Sequence, residues 1–166
     1  MPILEMWDED ADVQSSGGED DNLDWALEIG REVNWREILL AEHQGSPVGV
    51  AVLIDAREEE THYWGVDVEK GAWAIDIWIG EARNRSRGFG GQLMKAALTR
   101  CFFYHGASAV LVDPLLANVR AIKFYRREGF EAVGPRMFGG DECLVMRATP
   151  SSLGHIYGGR VNEVGA

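Results

Sequence analysis

"RNRSRGFGGQLMKAAL", residues 83–98, sets three arginines in five positions, then three glycines in four, then an apolar run at helical spacing. "AWAIDIWIG" precedes it and is the most β-prone run of the chain, which predicts a strand over 72–80. A strand, a glycine-rich loop and a helix start, in that order, make a place for an anion. The N–H groups of a first helical turn point outward, and the helix dipole adds partial positive charge there. Gly88, Gly90 and Gly91 carry no side chain to keep a phosphate from the backbone. Arg83, Arg85 and Arg87 add full charges in a geometry that suits phosphate. The Walker pattern GxxxxGK[ST] is absent, and "GFGGQL" lacks the third glycine of a dinucleotide fingerprint. A glycine-rich turn with solvated arginines is the plain alternative, and the triple arginine in this context weighs against it.

On either side of this stretch the chain alternates strand and helix signals. The helix is predicted from Gly88 to Tyr104, with Leu93, Ala96, Ala97, Leu98 and Phe102 on or near one face. "SAVLVD" reads as a buried strand, and a helix over Asn118–Glu128 ends at Gly129. "FEAVGPRMF" and "ECLVMRA" form a closing strand pair around the turn "GGDE". Upstream, "WREILLAEHQ" and "PVGVAVLIDA" predict a hairpin with strands near 35–43 and 48–55 and a turn at Gly45–Ser46. The opening residues give a short helical start and a loop. Asn22 then caps a helix over Leu23–Val33, with Leu23, Ala26, Leu27 and Gly30 at helical spacing. Together these predict one mixed α/β (α+β) domain over residues 1–149, with 1–34 an acidic acceptor-side segment and 35–149 the core. Residues 150–166 are expected to be a polar, poorly ordered tail.

Composition narrows the function classes. Of 166 residues, 46 % are apolar and 26 % charged, as in a globular protein rather than a disordered one. No apolar run is long enough to cross a bilayer, and no signal peptide is visible. Cys101 and Cys143 lie in no CxxC, and the four histidines show no metal spacing. A cytoplasmic chain with reduced, inert thiols, no metal and no disulfide is expected. The net charge of −11 is unevenly spread: residues 1–82 hold 21 acids against 4 Lys/Arg, and residues 83–166 hold 6 against 12. Such asymmetry suits two partners of opposite sign, one anionic and one cationic, and disfavours nucleic acid.

"RSRGFGGQL" resembles the R/Q-x-x-G-x-G/A signature of the GNAT acetyltransferases, with Arg85, Gly88 and Gly90 in the signature places. "DPLLANVRAIKFYRREGFEAVG" resembles a second block of that family, with Asp113, Pro114, Asn118, Ala121, Ile122, Tyr125, Gly129 and Phe130 in register. The resemblance runs from Trp35 to Arg147. It departs from the family pattern at the start, where the chain opens inside the expected first helix; a shortened N-terminal part is the expectation.

What this implies is a central mixed, mostly antiparallel sheet flanked by helices, and acetyl-coenzyme A as the cofactor. The loop of Arg83, Arg85, Arg87, Gly88, Phe89, Gly90 and Gly91 would hold its pyrophosphate. Ile77, Trp78 and Ile79 resemble the splayed strand that pairs with pantetheine and polarises the thioester carbonyl. Asn118 would cap its helix, bond to the pantetheine, or do both. Tyr125 stands where the family places the acid that protonates the departing thiolate; its plain alternative is a core aromatic.

An alkyl amine is protonated near neutrality, so attack on a thioester needs a group to take the proton. Asp76, inside "AWAIDIWIG", is the candidate base. Its residues alone leave open a solvated strand position, but the segment resembles that of the aminoglycoside 6'-N-acetyltransferases, whose proposed catalytic Asp matches it. Trp7 and Trp64, beside acidic runs, are candidates for an amine or sugar site, and Asp113 is a candidate acceptor-binding acid. Glu58, Glu59 and Glu60 are expected to steer a polycation. The resulting expectation is acetyl transfer to a primary amine of a small polycation, an aminoglycoside above all, by a monomer or homodimer without membrane or nucleic-acid partners. Protein N-termini or lysines, polyamines and siderophore precursors are alternative acceptors, and a non-catalytic coenzyme-binding domain is the alternative of another class.

Overall fold

The computed structural model describes residues 2–8 and 25–157. Two short helices, α1 (Pro2–Asp8) and α2 (Trp25–Ile29), precede the sheet. Its strands are β1 (Arg36–His43), β2 (Ser46–Asp55), β3 (Ala72–Ile79), β4 (Ala109–Val112), β5 (Glu131–Phe138) and β6 (Asp141–Ala148). Between β3 and β4 lies α3 (Phe89–Thr99), which continues as a π-helical turn over Arg100–Tyr104. Next come α4 (Val119–Arg127) between β4 and β5, and α5 (Pro150–Tyr157) after β6. The six strands are ordered β1-β2-β3-β4-β6-β5, and only β3 and β4 run parallel. This is the mixed, mostly antiparallel sheet expected.

The sheet's two faces are packed differently. On one face α3 and α4 close a single core that includes Leu53, Trp73, Ile75, Met94, Leu98, Val110 and Met146. On the other, the buried residues fall into two separate clusters. One gathers Ala56, Trp64, Ala74, Leu111 and Phe138; the other gathers Leu4, Trp7, Trp25, Val50 and Val52. Trp7 lies so close to Gly80 that a Cβ there would sit 2.0 Å from the indole Cε2.

Several boundaries differ from the sequence reading, each for a local reason. The β1–β2 turn centres on Gln44 and Gly45, both left-handed (φ 53° and 75°), one residue earlier than Gly45–Ser46. The second helix spans Trp25–Ile29 and stops before Gly30; Trp25 is buried, while Leu27 is 63 % exposed; Asn22 and Leu23 lie outside the described residues. In α3 Met94 is buried and Ala96 exposed. The final α-helical turn widens into a π turn, closed by His105 N–H to the Arg100 carbonyl.

The segment after β6 is helical through Tyr157 rather than irregular. Thr149 is its cap: Ser152 Oγ accepts from the Thr149 N–H at 2.8 Å, and Thr149 Oγ1 accepts from the Ser152 N–H at 3.3 Å. Pro150 takes the first helical position, where its missing N–H costs nothing. Leu153 then packs on the large core.

Candidate active site

The β3–β4 ladder is short. It pairs Ala72–Ala74 with Ala109–Leu111 and then stops, while β3 stays paired with β2 as far as Ile79. Beyond Leu111 the segment from β4 stays beside β6: Leu144 N–H reaches the Pro114 carbonyl, and Leu116 N–H reaches the Glu142 carbonyl. The two parallel strands therefore part, and the β4-facing edge of Ile75–Ile79 lines the opening. Ile77, Trp78 and Ile79 lie in that stretch.

Two carboxylates flank the opening on one face. Ala74 and Leu111 are partners in the ladder and share the Trp64–Phe138 cluster. Two residues further along the chain from each come Asp76, on β3, and Asp113, just past the end of β4. Asp76 pairs across to Val52, of the Trp7–Trp25 cluster, and is half-buried. It thus stands between the two clusters of that face. Asp113 accepts a 2.6 Å hydrogen bond from the Tyr63 hydroxyl, and Tyr63 stacks on Phe138 of the same face.

The glycine-rich loop begins directly after the exposed end of β3. Gly88 caps α3 in the left-handed region (φ 84°), and the first helical bond is Gln92 N–H to the Gly88 carbonyl at 3.2 Å. The N–H groups of Phe89, Gly90 and Gly91 precede that bond and point out of the helix. A Cβ at Gly88 would meet nothing, and one at Gly90 would only touch Phe124 and Ile79, at 3.5 and 3.7 Å. A Cβ at Gly91 would meet the Glu128 carboxylate, with Oε1 at 3.2 Å.

The three arginines divide their work. Arg85 turns inward and donates to the Gly80 carbonyl at 3.1 Å, bracing the loop against the strand. Arg83 pairs with Glu81 and is largely exposed. Arg87 reaches Asn84 Oδ1 at 3.4 Å and lies over the Phe89 ring.

Across from the loop, Asn118 caps α4 through its Oδ1, which accepts from Ala121 N–H at 3.0 Å. Tyr125, on α4, is partly buried against the large core, edge-on to Phe130. Phe124, beside it, is the residue next to Gly90. The fold thus brings loop, capped helix and parted strand together.

Some candidates land elsewhere. Trp7 is 2 % exposed and Trp64 6 %; both are packed into their clusters, so neither offers an open indole face to an acceptor. The open ring is Tyr63, 41 % exposed. Glu59 is no steering charge. It is buried, and its carboxylate takes hydrogen bonds from Thr61 N–H, the Thr61 hydroxyl and Tyr63 N–H. Glu60 is engaged by Arg31. Cys101 is fully buried, and that burial, with the Glu37 charge nearby, pushes its thiol up to about 12. Cys143 is buried as well. A thiol held protonated in this way is no nucleophile at neutral pH.

A family model of the acetyltransferase (GNAT) domain matches residues 1–138. The chain belongs to the GNAT acetyltransferase family. The match reaches residue 1, further than the motif residues extend. The aminoglycoside N(6')-acetyltransferase type 1 of Klebsiella pneumoniae is 28 % identical to this GNAT domain over 95 residues, 57 % of this chain and 47 % of that protein. The kanamycin resistance protein of Rhizobium radiobacter is 29 % identical over 76 residues, 46 % of this chain and 70 % of that one. The chain thus spans about half the length of the Klebsiella relative. Among solved structures, aminoglycoside acetyltransferase AAC(6')-Ib in complex with coenzyme A and kanamycin superposes with a TM-score of 0.67 at 24 % identity, over 74 % of this chain and 72 % of that one. A complex of the same enzyme with paromomycin and acetyl-coenzyme A gives 0.79 at 19 % identity, over 98 % and 93 %. These likenesses show the shared fold. Among the described residues, no helix is long and apolar enough to cross a membrane.

Proposed function

We propose that this GNAT domain is an acetyl-coenzyme A-dependent N-acetyltransferase that modifies a primary amine of a small polycation, an aminoglycoside at its 6'-amine. The observation that carries the reading is the parted β3–β4 pair, with the glycine-capped start of α3 at its end and Asp76 and Asp113 on one face of the opening. When bound, acetyl-coenzyme A supplies the acetyl group as a thioester. The N–H groups of Phe89, Gly90 and Gly91 bind its pyrophosphate, with charge from Arg83 and Arg87, while Arg85 holds the loop in place. The backbone of Ile77–Ile79 would hold the pantetheine arm, and a free N–H of this edge would be the donor that polarises the thioester carbonyl. Such a donor is worth a few kcal/mol where charge develops. Asp76 takes the ammonium proton and frees the amine to attack. Tyr125 Oη holds a proton for the thiol that leaves. Cys101, buried and held protonated, is no nucleophile, which supports direct transfer from the thioester.

The names of the curated relatives, both aminoglycoside-directed, support the acceptor class, as does the acidic first half of the chain. Residues 1–149 act as one catalytic domain in this reading, located in the cytoplasm. The test has two arms. Acetyl-coenzyme A at about 100 times its Kd adds roughly 2.7 kcal/mol of stability, seen as a raised Tm. Thiol release is then followed with kanamycin, spermidine, a lysine-containing peptide and a small mono-amine, and kanamycin gives the highest kcat/KM. A Tm unmoved by the coenzyme removes the cofactor assignment. Coenzyme binding without turnover on any amine leaves the non-catalytic binding domain.

A further inference from the structure

Tyr63 is the one aromatic side chain of the acceptor face that is both firmly held and open to solvent among the described residues. Its ring stacks on Phe138 with centroids 4.5 Å apart and planes at 6°. Trp64 meets both rings edge-on. Arg136 lies 4.6 Å from the Phe138 ring and donates through Nη1 to the Trp64 carbonyl at 3.0 Å. From the other direction, the buried Glu59 carboxylate holds the Tyr63 N–H. His62, immediately before it, is in the left-handed region at φ 51°, a conformation a non-glycine residue takes at some cost. A loop fixed this firmly ends in a phenol whose hydroxyl crosses 50 residues of sequence to Asp113 Oδ2.

A carboxylate at a solvent-facing opening ordinarily samples several rotamers. A short, charge-assisted bond from a rigid phenol selects one. Asp113, just past the end of β4, stands on the same face as Asp76, across the place where the β3–β4 ladder has ended. One of them is assigned to the reacting amine. The other is then placed for a second cation on the same molecule, with the open Tyr63 ring beside it as an apolar and cation-attracting wall.

We propose that Tyr63 is a positioning residue that sets acceptor preference: it holds the Asp113 carboxylate beside the β3–β4 opening as the anchor for a second ammonium group, so that di- and polyamines are selected over mono-amines. This rests on the amine-acceptor reading above. The experiment compares wild type, Tyr63→Phe, Asp113→Asn and the double variant. Steady-state kinetics use kanamycin and the single-amine sugar 6-amino-6-deoxyglucose, and calorimetry measures binding of kanamycin to the coenzyme A complex. Tyr63→Phe keeps the stacked ring and loses only the hydroxyl, so the fold is preserved.

The expected result is a five- to tenfold fall in the kcat/KM ratio of kanamycin over the mono-amine, carried by KM and matched by weaker calorimetric binding. Asp113→Asn has at least as large an effect. The double variant is no worse than Asp113→Asn alone, because Tyr63 acts through that carboxylate. An unchanged ratio in Tyr63→Phe, or additive effects in the double variant, overturns the proposal even when wild type acetylates kanamycin well. Wild type that binds kanamycin in a Tyr63-dependent manner but does not acetylate it removes the proposed reaction and leaves this anchor standing.

Discussion

The two faces of the sheet answer to different demands. The face under α3 and α4 is one continuous core, and its strand residues alternate into it without interruption: Ala51 and Leu53, Trp73 and Ile75, Val110 and Val112. The opposite face carries two clusters with a half-buried acid between them. An uninterrupted second core would bury more apolar surface. The break falls at Asp76, where the parallel ladder has ended, and in the reading proposed above packing is given up there for chemistry. Stability and activity should therefore separate by face.

The largest effect that separates the faces comes from Asp76→Asn. If the carboxylate takes the amine proton, kcat falls about 10²–10⁴-fold, while the coenzyme-induced rise in Tm survives. Loss of that rise together with activity would mean that Asp76 holds the fold and not the reaction. On the helix face, Met94→Ala is the counterpart. Met94 is fully buried between α3 and the sheet, and its truncation costs about 2–5 kcal/mol in denaturant unfolding. The residual folded enzyme should retain its kcat. A smaller effect tests the helix face at its rim, where Glu37 on β1 meets Arg100 and His105 at the π turn. Partial burial alone would raise the Glu37 carboxyl, yet the hydrogen bonds and charges of Arg100 and His105 hold it below its ordinary 4.5. A depressed carboxylate contributes stability above its unfolded value and loses it as pH falls through the folded one. Glu37→Gln therefore lowers Tm at pH 7 by an amount equivalent to under about 1 kcal/mol, and the gap from wild type closes as pH falls through the carboxyl's lowered folded value. A gap that stays constant with pH would assign the loss to packing.

Motifs that act locally were legible in the sequence. Gly88 and Asn118 sit at the two helix starts because their own backbone or side chain meets the free N–H groups of the next turn. A spacing of three or four residues reveals both. The strand order β3, loop, α3, β4 follows from the same kind of signal. What could not be read depends on distant partners. Trp7 and Trp64 look alike beside acidic runs, and nothing local says that distant residues help wall each in, Val50 and Val52 for Trp7 and Leu111 and Phe138 for Trp64. The Tyr63–Asp113 bond and the burial of Glu59 are long-range in the same sense, whereas the splaying of β3 was legible only through the family resemblance. The last helix is a different case: "TPSS" carries a reciprocal cap with proline at the first helical position, and the glycines downstream obscured it.

The close seat of Trp7 on Gly80 makes a single locus of two positions 73 residues apart. Any side chain at 80 collides with the indole, so a variant there is tolerated only where position 7 has already shrunk, and neither change can be judged on its own. Gly80 is also where Arg85 ties down the glycine loop. Helix α1 therefore has a stake in how the glycine-rich loop is held, and a library that randomises the N-terminus for expression alone would be editing that loop as well.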